Sequence, residues 1–327
     1  MKRLILVVAL VALLSVSFGA SAQSEPTVIR IGHQRGDLFS LAIAQGWVDE
    51  VFPPEQYTVE FSLFPSGPPL LEALNAGAID FGGTGDAPPV FAQAAGVPLR
   101  YVATQVAYGN EAVIVPADSE IDSLDDLAGQ QIAYVRGSSA NYLLVLALQA
   151  GGVAFEDVES VLLPPADANA AFQSGAVDAW VIWDPFLTVA QTQSNARVLA
   201  YASDLHNKRV YFSASEAFTE SNPDLLPELV ALLQRGVDWI SENPTAYSAY
   251  LASETGIDAA VWDTAYSELG APADITYLDS TIVAAQQQVA DTFFELELIP
   301  QAIDVASAVW HPDGVIPEAT PEATTAP

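Results

Sequence analysis

The sequence predicts an α/β protein built from two similar lobes, on three observations. The segment GAIDFGGTGDAPPVFAQ at residues 77–93 recurs in degenerate form as GAVDAWVIWDPFLTVAQ at residues 175–191. Two further blocks repeat in the same order: Val59, Glu60 and Pro65 return as Val158, Glu159 and Pro164, and Ile31, Arg35 and Gly36 return as Ile132, Arg136 and Gly137. Each block reads as a short apolar strand, a small or polar turn and an apolar-rich helix, which is a βα unit. Within the main repeat Gly77/Gly175, Ala78/Ala176, Asp80/Asp178, Asp86/Asp184, Ala92/Ala190 and Gln93/Gln191 are identical. Asp86 and Asp184 each precede a proline by one or two positions, the signature of a helix start. Strand-to-helix turns of open parallel sheets gather at one edge, where ligands bind. The repeat therefore predicts two facing halves of one cleft.

The elements follow in order. Residues 1–22 carry Lys2 and Arg3, an apolar run over 4–14 and the small residues Ala20, Ser21 and Ala22, the pattern of a secretory signal peptide cleaved after Ala22. The run is shorter than the roughly 20 residues that span a bilayer. A first strand is expected over 27–32, a turn at His33 to Asp37 and a helix over 38–46; a second strand covers 57–64, and its turn at Ser66 leads into a helix over 69–75 with Gly77 past its end. After the first repeat copy, strands are expected over 99–105 and 111–115, the latter crossing to the second lobe. A short helix over 122–127 precedes a strand at 131–135. Gly137, Ser138 and Ser139 then open a helix over 142–150, where unsatisfied N–H groups and the helix dipole attract oxyanions. Segments 197–202 and 210–213 read as strands returning the chain to the first lobe, and helices are expected over 227–242, 245–253, 259–269 and 281–297. In the last of these, Ile282, Ala285, Val289, Phe293 and Leu296 form the packing face. Lobe 1 thus comprises 27–110 and 210–312, lobe 2 comprises 111–209, and the Pro/Glu/Ala/Thr tail at 313–327 is expected to be disordered.

Composition excludes several classes. Cysteine is absent, so there is no disulfide framework, thiolate metal site or cysteine nucleophile. The chain has 10 basic and 41 acidic residues, a net charge of −31, and loss of Lys2 and Arg3 with the leader leaves 8 against 41, or −33. Such a field disfavours nucleic acid and anionic membranes, and it also repels a free anion over the roughly 10 Å to which screening confines it at moderate ionic strength. His33, His206 and His311 lack a metal-ligand spacing and are expected in surface or capping roles. Beyond the leader Lys208 is the sole lysine, hence the sole place for a pyridoxal Schiff base, and no serine sits in a G-x-S-x-G elbow.

Five segments resemble a known family: IGHQRG (31–36), GAIDFGGTGDAPPVFAQAAG (77–96), YVRGSSANYLL (134–144), PADANAAFQSGAVDAWVIWDP (165–185) and QQQVADTFFE (286–295). Together they resemble the periplasmic substrate-binding proteins of ABC importers, in the branch for aliphatic sulfonates, taurine and nitrate and nearest its sulfonate members. The resemblance implies the type II periplasmic-binding-protein fold, two Rossmann-like lobes joined by two crossover strands with the C-terminal helices packed on lobe 1. It further implies a monomeric, periplasmic receptor without cofactor, whose partners are a small oxyanion such as an alkyl sulfonate and a membrane permease. Carried over by position, the ligand site would take Gln34, Ser66, Thr84, Gly85 and Asp86 from lobe 1 and Gly137, Ser138, Ser139, Asn141, Trp183 and Asp184 from lobe 2. Backbone N–H groups, the hydroxyls and the Gln34 amide would hold the sulfonate oxygens, and Trp183 would wall the alkyl part. The aspartates are expected to cap helices, with recognition of an amine as the alternative for Asp184. A receptor for a thiamine-precursor pyrimidine, stacked on Tyr108, Trp180, Trp183 or Phe186, is the alternative ligand reading, and a pyrimidine-precursor synthase is the alternative class. The chain departs from the sulfonate pattern in its acidity, in His33 where an aromatic hydroxyl residue is usual, and in its tail.

Overall fold

The computed structural model describes residues 26–107, 109–267 and 269–319. The expected leader at 1–22, Tyr108 and the end of the tail lie outside the described residues. The chain begins with β1 (Thr27–Gln34), α1 (Leu38–Gln45), α2 (Val48–Val51), β2 (Tyr57–Phe64), α3 (Gly67–Asn75), β3 (Phe81–Gly85), α4 (Ala87–Ala94) and β4 (Leu99–Val106). It continues through β5 (Glu111–Val115), β6 (Gln131–Tyr134), α5 (Ser139–Gly151), β7 (Glu159–Leu162), α6 (Pro165–Gln173), β8 (Ala179–Trp183), α7 (Phe186–Gln193) and β9 (Arg197–Tyr201). It ends with β10 (Arg209–Ser215), α8 (Glu216–Ser221), α9 (Leu225–Glu242), α10 (Pro244–Thr255), α11 (Ala259–Ser267) and α12 (Ser280–Glu295).

The strands form two five-stranded sheets of matching order, β2-β1-β3-β10-β4 and β7-β6-β8-β5-β9. In each, the repeat-bearing strands pair in parallel, and one strand from across a crossover, β10 or β5, inserts antiparallel. The sheets are therefore mixed, a refinement of the parallel sheets that the βα pattern suggests. The expectation that 197–202 returns the chain to the first lobe is corrected: β9 pairs antiparallel with β5 in the second sheet, and the return runs through residues 202–208.

The repeat is mechanical as well as textual. Asp80 accepts the Arg30 N–H at 2.8 Å while its own N–H donates to the Arg30 carbonyl at 2.7 Å. Asp178 does the same at Gln131, at 2.8 Å in each direction. Each aspartate thus locks the start of its β3-type strand to the first strand of its sheet. Gly77 and Gly175 follow the preceding helices with φ of 68° and 69°, the left-handed conformation that glycine adopts without strain.

Helices cover both faces of the first sheet. Leu226, Leu229 and Leu233 of α9 pack with Ile29, Phe39 and Phe81 on one face, and α3, α4 and α12 pack on the other. Tyr142 and Val145 of α5 join this second cluster, so the lobes touch through an apolar contact besides the crossovers. The packing face assigned to α12 is corrected at one position: Ala285 is exposed and Gln286 is fully buried. The Gln286 Nε2 donates to the Asp86 carbonyl at 2.7 Å, so the position belongs to the buried stripe for polar rather than apolar reasons.

Candidate functional site

A cleft of about 1120 Å3 opens between the two sheets at the carboxyl ends of their parallel strands. Of the residues carried over for the ligand site, Gln34, Thr84, Gly85, Ser138, Ser139, Trp183 and Asp184 line it. Ser66, Asp86, Gly137 and Asn141 do not: all four are buried behind the wall.

The local sequence explains each turn. At the first, Asp37 caps α1, its carboxylate accepting the N–H groups of Ser40 and Gln34, each at 2.8 Å. The Gln34 amide donates to the Gly83 carbonyl at 3.1 Å, tying this turn to the next. At the third, Asp86 accepts the Ala87 N–H at 2.8 Å, and Pro88 and Pro89 fill the first turn of α4. Gly67 and Pro88 are so close that a Cβ on Gly67 would lie 2.6 Å from the proline ring, which is how the turn behind Ser66 supports Thr84. In the second lobe Gly137 has φ 71°, and its N–H donates to the Asn141 side chain at 3.0 Å. Asn141 is thus a brace for the turn, with its amide nitrogen buried and unpartnered. The first N–H groups of α5 have no intrahelical acceptor and open towards the cleft at Ser138 and Ser139.

The two walls meet here. A Cβ placed on Gly85 would lie 2.8 Å from the Ser139 Cβ and 3.0 Å from its Oγ, so the glycine permits the third turn of one lobe to approach the helix start of the other. The Thr84 hydroxyl donates to the Gly85 carbonyl at 3.1 Å and the Ser138 hydroxyl to the Val135 carbonyl at 2.7 Å. Both can rotate towards a better acceptor.

Asp184 accepts the Thr188 N–H and hydroxyl at 3.1 and 2.7 Å and the Asn110 N–H at 3.1 Å, so it caps α7 and grips one crossover. Burial raises its carboxyl above the ordinary range, against these hydrogen bonds. Of the described aromatic residues named for ring stacking, Trp183 lines the cleft and Trp180 and Phe186 do not. Trp180 is buried in the second lobe's core, packed on Phe172 and Phe186.

Several cleft-side groups escape the sequence reading. Lys208 lines the floor and pairs with the buried carboxylate of Glu111. His206, expected at the surface or as a cap, is instead half-buried edge-on against Tyr142 at 5.2 Å, with its Nδ1 3.8 Å from Asp86. Burial holds His206 below its usual value. Behind them the Asp86 carboxyl is pushed up to about 7, chiefly by burial and then by Glu111, with Lys208 pulling the other way. Tyr247, Tyr266, Phe212 and Ile240 close the far end. These groups come from crossovers and from C-terminal helices with no local motif to mark them. Among the described residues no cluster of three His, Cys, Asp or Glu could hold a metal ion.

The Asp86 group makes stability depend on pH. Its folded value lies above the ordinary 3.8, so the folded chain holds a proton that the unfolded chain releases. The resulting stability is full below pH 3.8 and is lost as pH rises through about 7. Asp86→Asn keeps an oxygen for the Ala87 N–H and removes the titration. Urea unfolding at pH 5 and pH 8 is expected to show wild type losing on the order of 2–4 kcal/mol more than the variant over that interval; parallel losses would contradict the assignment.

Comparison with known proteins adds lineage to this geometry. Residues 64–247 match the family model described as NMT1/THI5 like. The chain is 38% identical over 314 residues to an Escherichia coli (strain K12) protein named for binding aliphatic sulfonates, covering 95% of this chain and 97% of that one. Among solved structures it is similar to the periplasmic aliphatic sulphonate binding protein SsuA from Escherichia coli, at 36% identity and TM-score 0.77 over 87% of this chain and 98% of the other. It is also similar to the alkanesulfonate-binding protein SsuA from Xanthomonas axonopodis pv. citri bound to MOPS, at 34% identity and TM-score 0.81 over 88% and 99%. The desulfurization enzyme DSZB, 17% identical with TM-score 0.62, shares the fold.

Proposed function

The chain belongs to the NMT1/THI5-like family, in the branch of the aliphatic sulfonate-binding proteins, and from that premise we propose that it is a solute receptor capturing aliphatic sulfonates in the cleft between its two sheets. It delivers them to the permease of an ABC importer, acting as an exported, periplasmic monomer. Its lobes are residues 27–110 with 210–312 and residues 111–209, hinged on the crossovers.

The observation that carries this reading is the meeting of two strand-to-helix turns, Thr84 with Gly85 and Ser138 with Ser139, on opposite walls of one cleft. A sulfonate there accepts N–H groups from the α5 start and hydroxyls from Thr84, Ser138 and Ser139. Charge-assisted bonds of this kind are the strong ones, and the low local dielectric strengthens them further. Gln34, Gly85, Trp183 and Asp184 complete the wall, while Ser66, Asp86, Gly137 and Asn141 hold the turns from behind.

The binding reading is favoured over an enzyme by the state of Lys208. Its ammonium is tied to Glu111, which occupies the amine that a Schiff base would need free. The pyrimidine reading loses two of its aromatic planes to the core at Trp180 and Phe186. Thermal unfolding of the purified chain with methane-, butane- and octanesulfonate, taurine, nitrate, sulfate and a thiamine pyrimidine tests the sulfonate reading against the pyrimidine one. A sulfonate at 100 times its Kd stabilises by about 2.7 kcal/mol, a rise of a few degrees for a chain of this size. A rise with the pyrimidine alone would overturn the sulfonate assignment.

A further inference from the structure

A buried carboxyl stands where the two lobes and both crossovers meet. Asp86 ends the third turn of lobe 1, and its carboxylate accepts the Ala87 N–H at 2.8 Å. Lobe 2 closes over its surroundings. Ser139 sits against Gly85, the residue before it, and a Cβ on Gly137 would lie 3.2 Å from the Phe91 ring of α4. Tyr142 meets His206 at 5.2 Å and Phe293 of α12 at 5.7 Å. The start of α5 is thus laid against the helix that Asp86 caps.

The groups facing Asp86 come from both sides of the hinge. Glu111 opens β5 in lobe 2, is buried, and pairs with Lys208. Lys208 and His206 belong to the return crossover, which the Ala107 N–H of the other crossover holds at the Lys208 carbonyl, 3.0 Å away. Tyr142 of α5 and Tyr211 of β10 are each hindered from ionising by burial and by Asp86, and α12 supplies the neutral Gln286. One ammonium therefore serves two carboxyls. With both ionised, the cluster keeps an excess negative charge away from water, which is costly. Burial and then Glu111 accordingly push the Asp86 carboxyl up to about 7. His206 is the poorer proton acceptor: burial disfavours its charged form, its Nδ1 lies 3.8 Å from Asp86, and its buried Nε2 has no hydrogen-bond partner, so an imidazolium would strand an N–H.

We propose that closure of the cleft on a ligand takes up a proton on the Asp86 carboxyl, so that sulfonate and proton are captured together. This deepens the receptor reading and rests on its hinge. Opening on the crossovers carries Glu111 and Tyr142 away with lobe 2 and lets water reach Asp86, which then ionises as an ordinary carboxyl. A group raised in the closed form favours closure at low pH, and that contribution is lost as pH rises through about 7.

The test is calorimetric titration of the full chain with butanesulfonate between about pH 5.5 and about pH 7.5, in two buffers of different ionisation enthalpy and at fixed high salt to screen the overall charge. The sulfonate stays ionised throughout, so any proton taken up goes to the protein. Wild type is expected to take up about 0.5–1 proton per ligand near pH 6 and to bind about tenfold more weakly at the upper pH than at the lower. Asp86→Asn should show neither effect, and Glu111→Gln, which leaves Lys208 to Asp86, should lose most of the uptake. Wild-type binding without proton uptake and with one affinity across the range overturns this inference alone, as does uptake that persists in Asp86→Asn. Failure of butanesulfonate to bind at every pH overturns it together with the receptor reading.

Discussion

Gly85→Val is expected to weaken sulfonate capture by about 100-fold or more while leaving the fold standing. The added side chain points at Ser139, whose Cβ and Oγ lie 2.8 and 3.0 Å from the first new carbon, so the walls cannot approach. The Gly85 backbone is not left-handed, and the clash lies across the cleft, so the cost falls on the closed arrangement and not on the first sheet. Separating the walls removes at least two hydrogen bonds to a charged ligand, each contributing about 1.5–3 kcal/mol. A loss on the order of 100-fold or more in affinity follows. Calorimetry with butanesulfonate measures it, and thermal unfolding of the free chain serves as the control. Wild-type affinity in the variant would mean that the two turns do not jointly hold the ligand.

Lys208→Met is expected to be the most destabilising single change at the cleft. It strands Glu111, whose side chain is 0% exposed, with a negative charge and no cation. Breaking a buried pair in this way costs about 3–5 kcal/mol, whereas replacing both partners is often close to neutral. The neighbours offer no ready substitute: Asp86 and Asp184 are acidic, and burial lowers the pKa of His206. Urea unfolding should therefore show the large loss in Lys208→Met and recovery of most of it in Lys208→Met with Glu111→Gln. A single variant within about 1 kcal/mol of wild type would show that the pair is not what holds this crossover.

The parts of the molecule written twice were the legible parts. Asp80 and Asp178 recur because the same strand start must be pinned in each sheet. Asp86 and Asp184 recur because each binds an N–H at the start of a helix. Seven of the eleven residues placed by position line the cleft, and the other four support it. What a single chain cannot spell out is a contact made between distant segments. The antiparallel insertion of β10 between β3 and β4 carries no local mark, since Val210 reads as strand whichever sheet receives it. Glu111, His206 and Lys208 look like ordinary polar residues until the crossovers bring them to one floor. Tyr247 and Tyr266 sit on C-terminal helices that carry no motif in the sequence, yet their rings wall the cleft.

The most direct test of the account is a crystal structure of the chain grown with an alkanesulfonate. The sulfonate oxygens are expected within hydrogen-bond reach of the α5 start at Ser139 and of Thr84, with the carbon chain running past Trp183 towards Tyr247. A cleft free of the sulfonate at saturating concentration, or a sulfonate bound only outside it, would contradict the assignment.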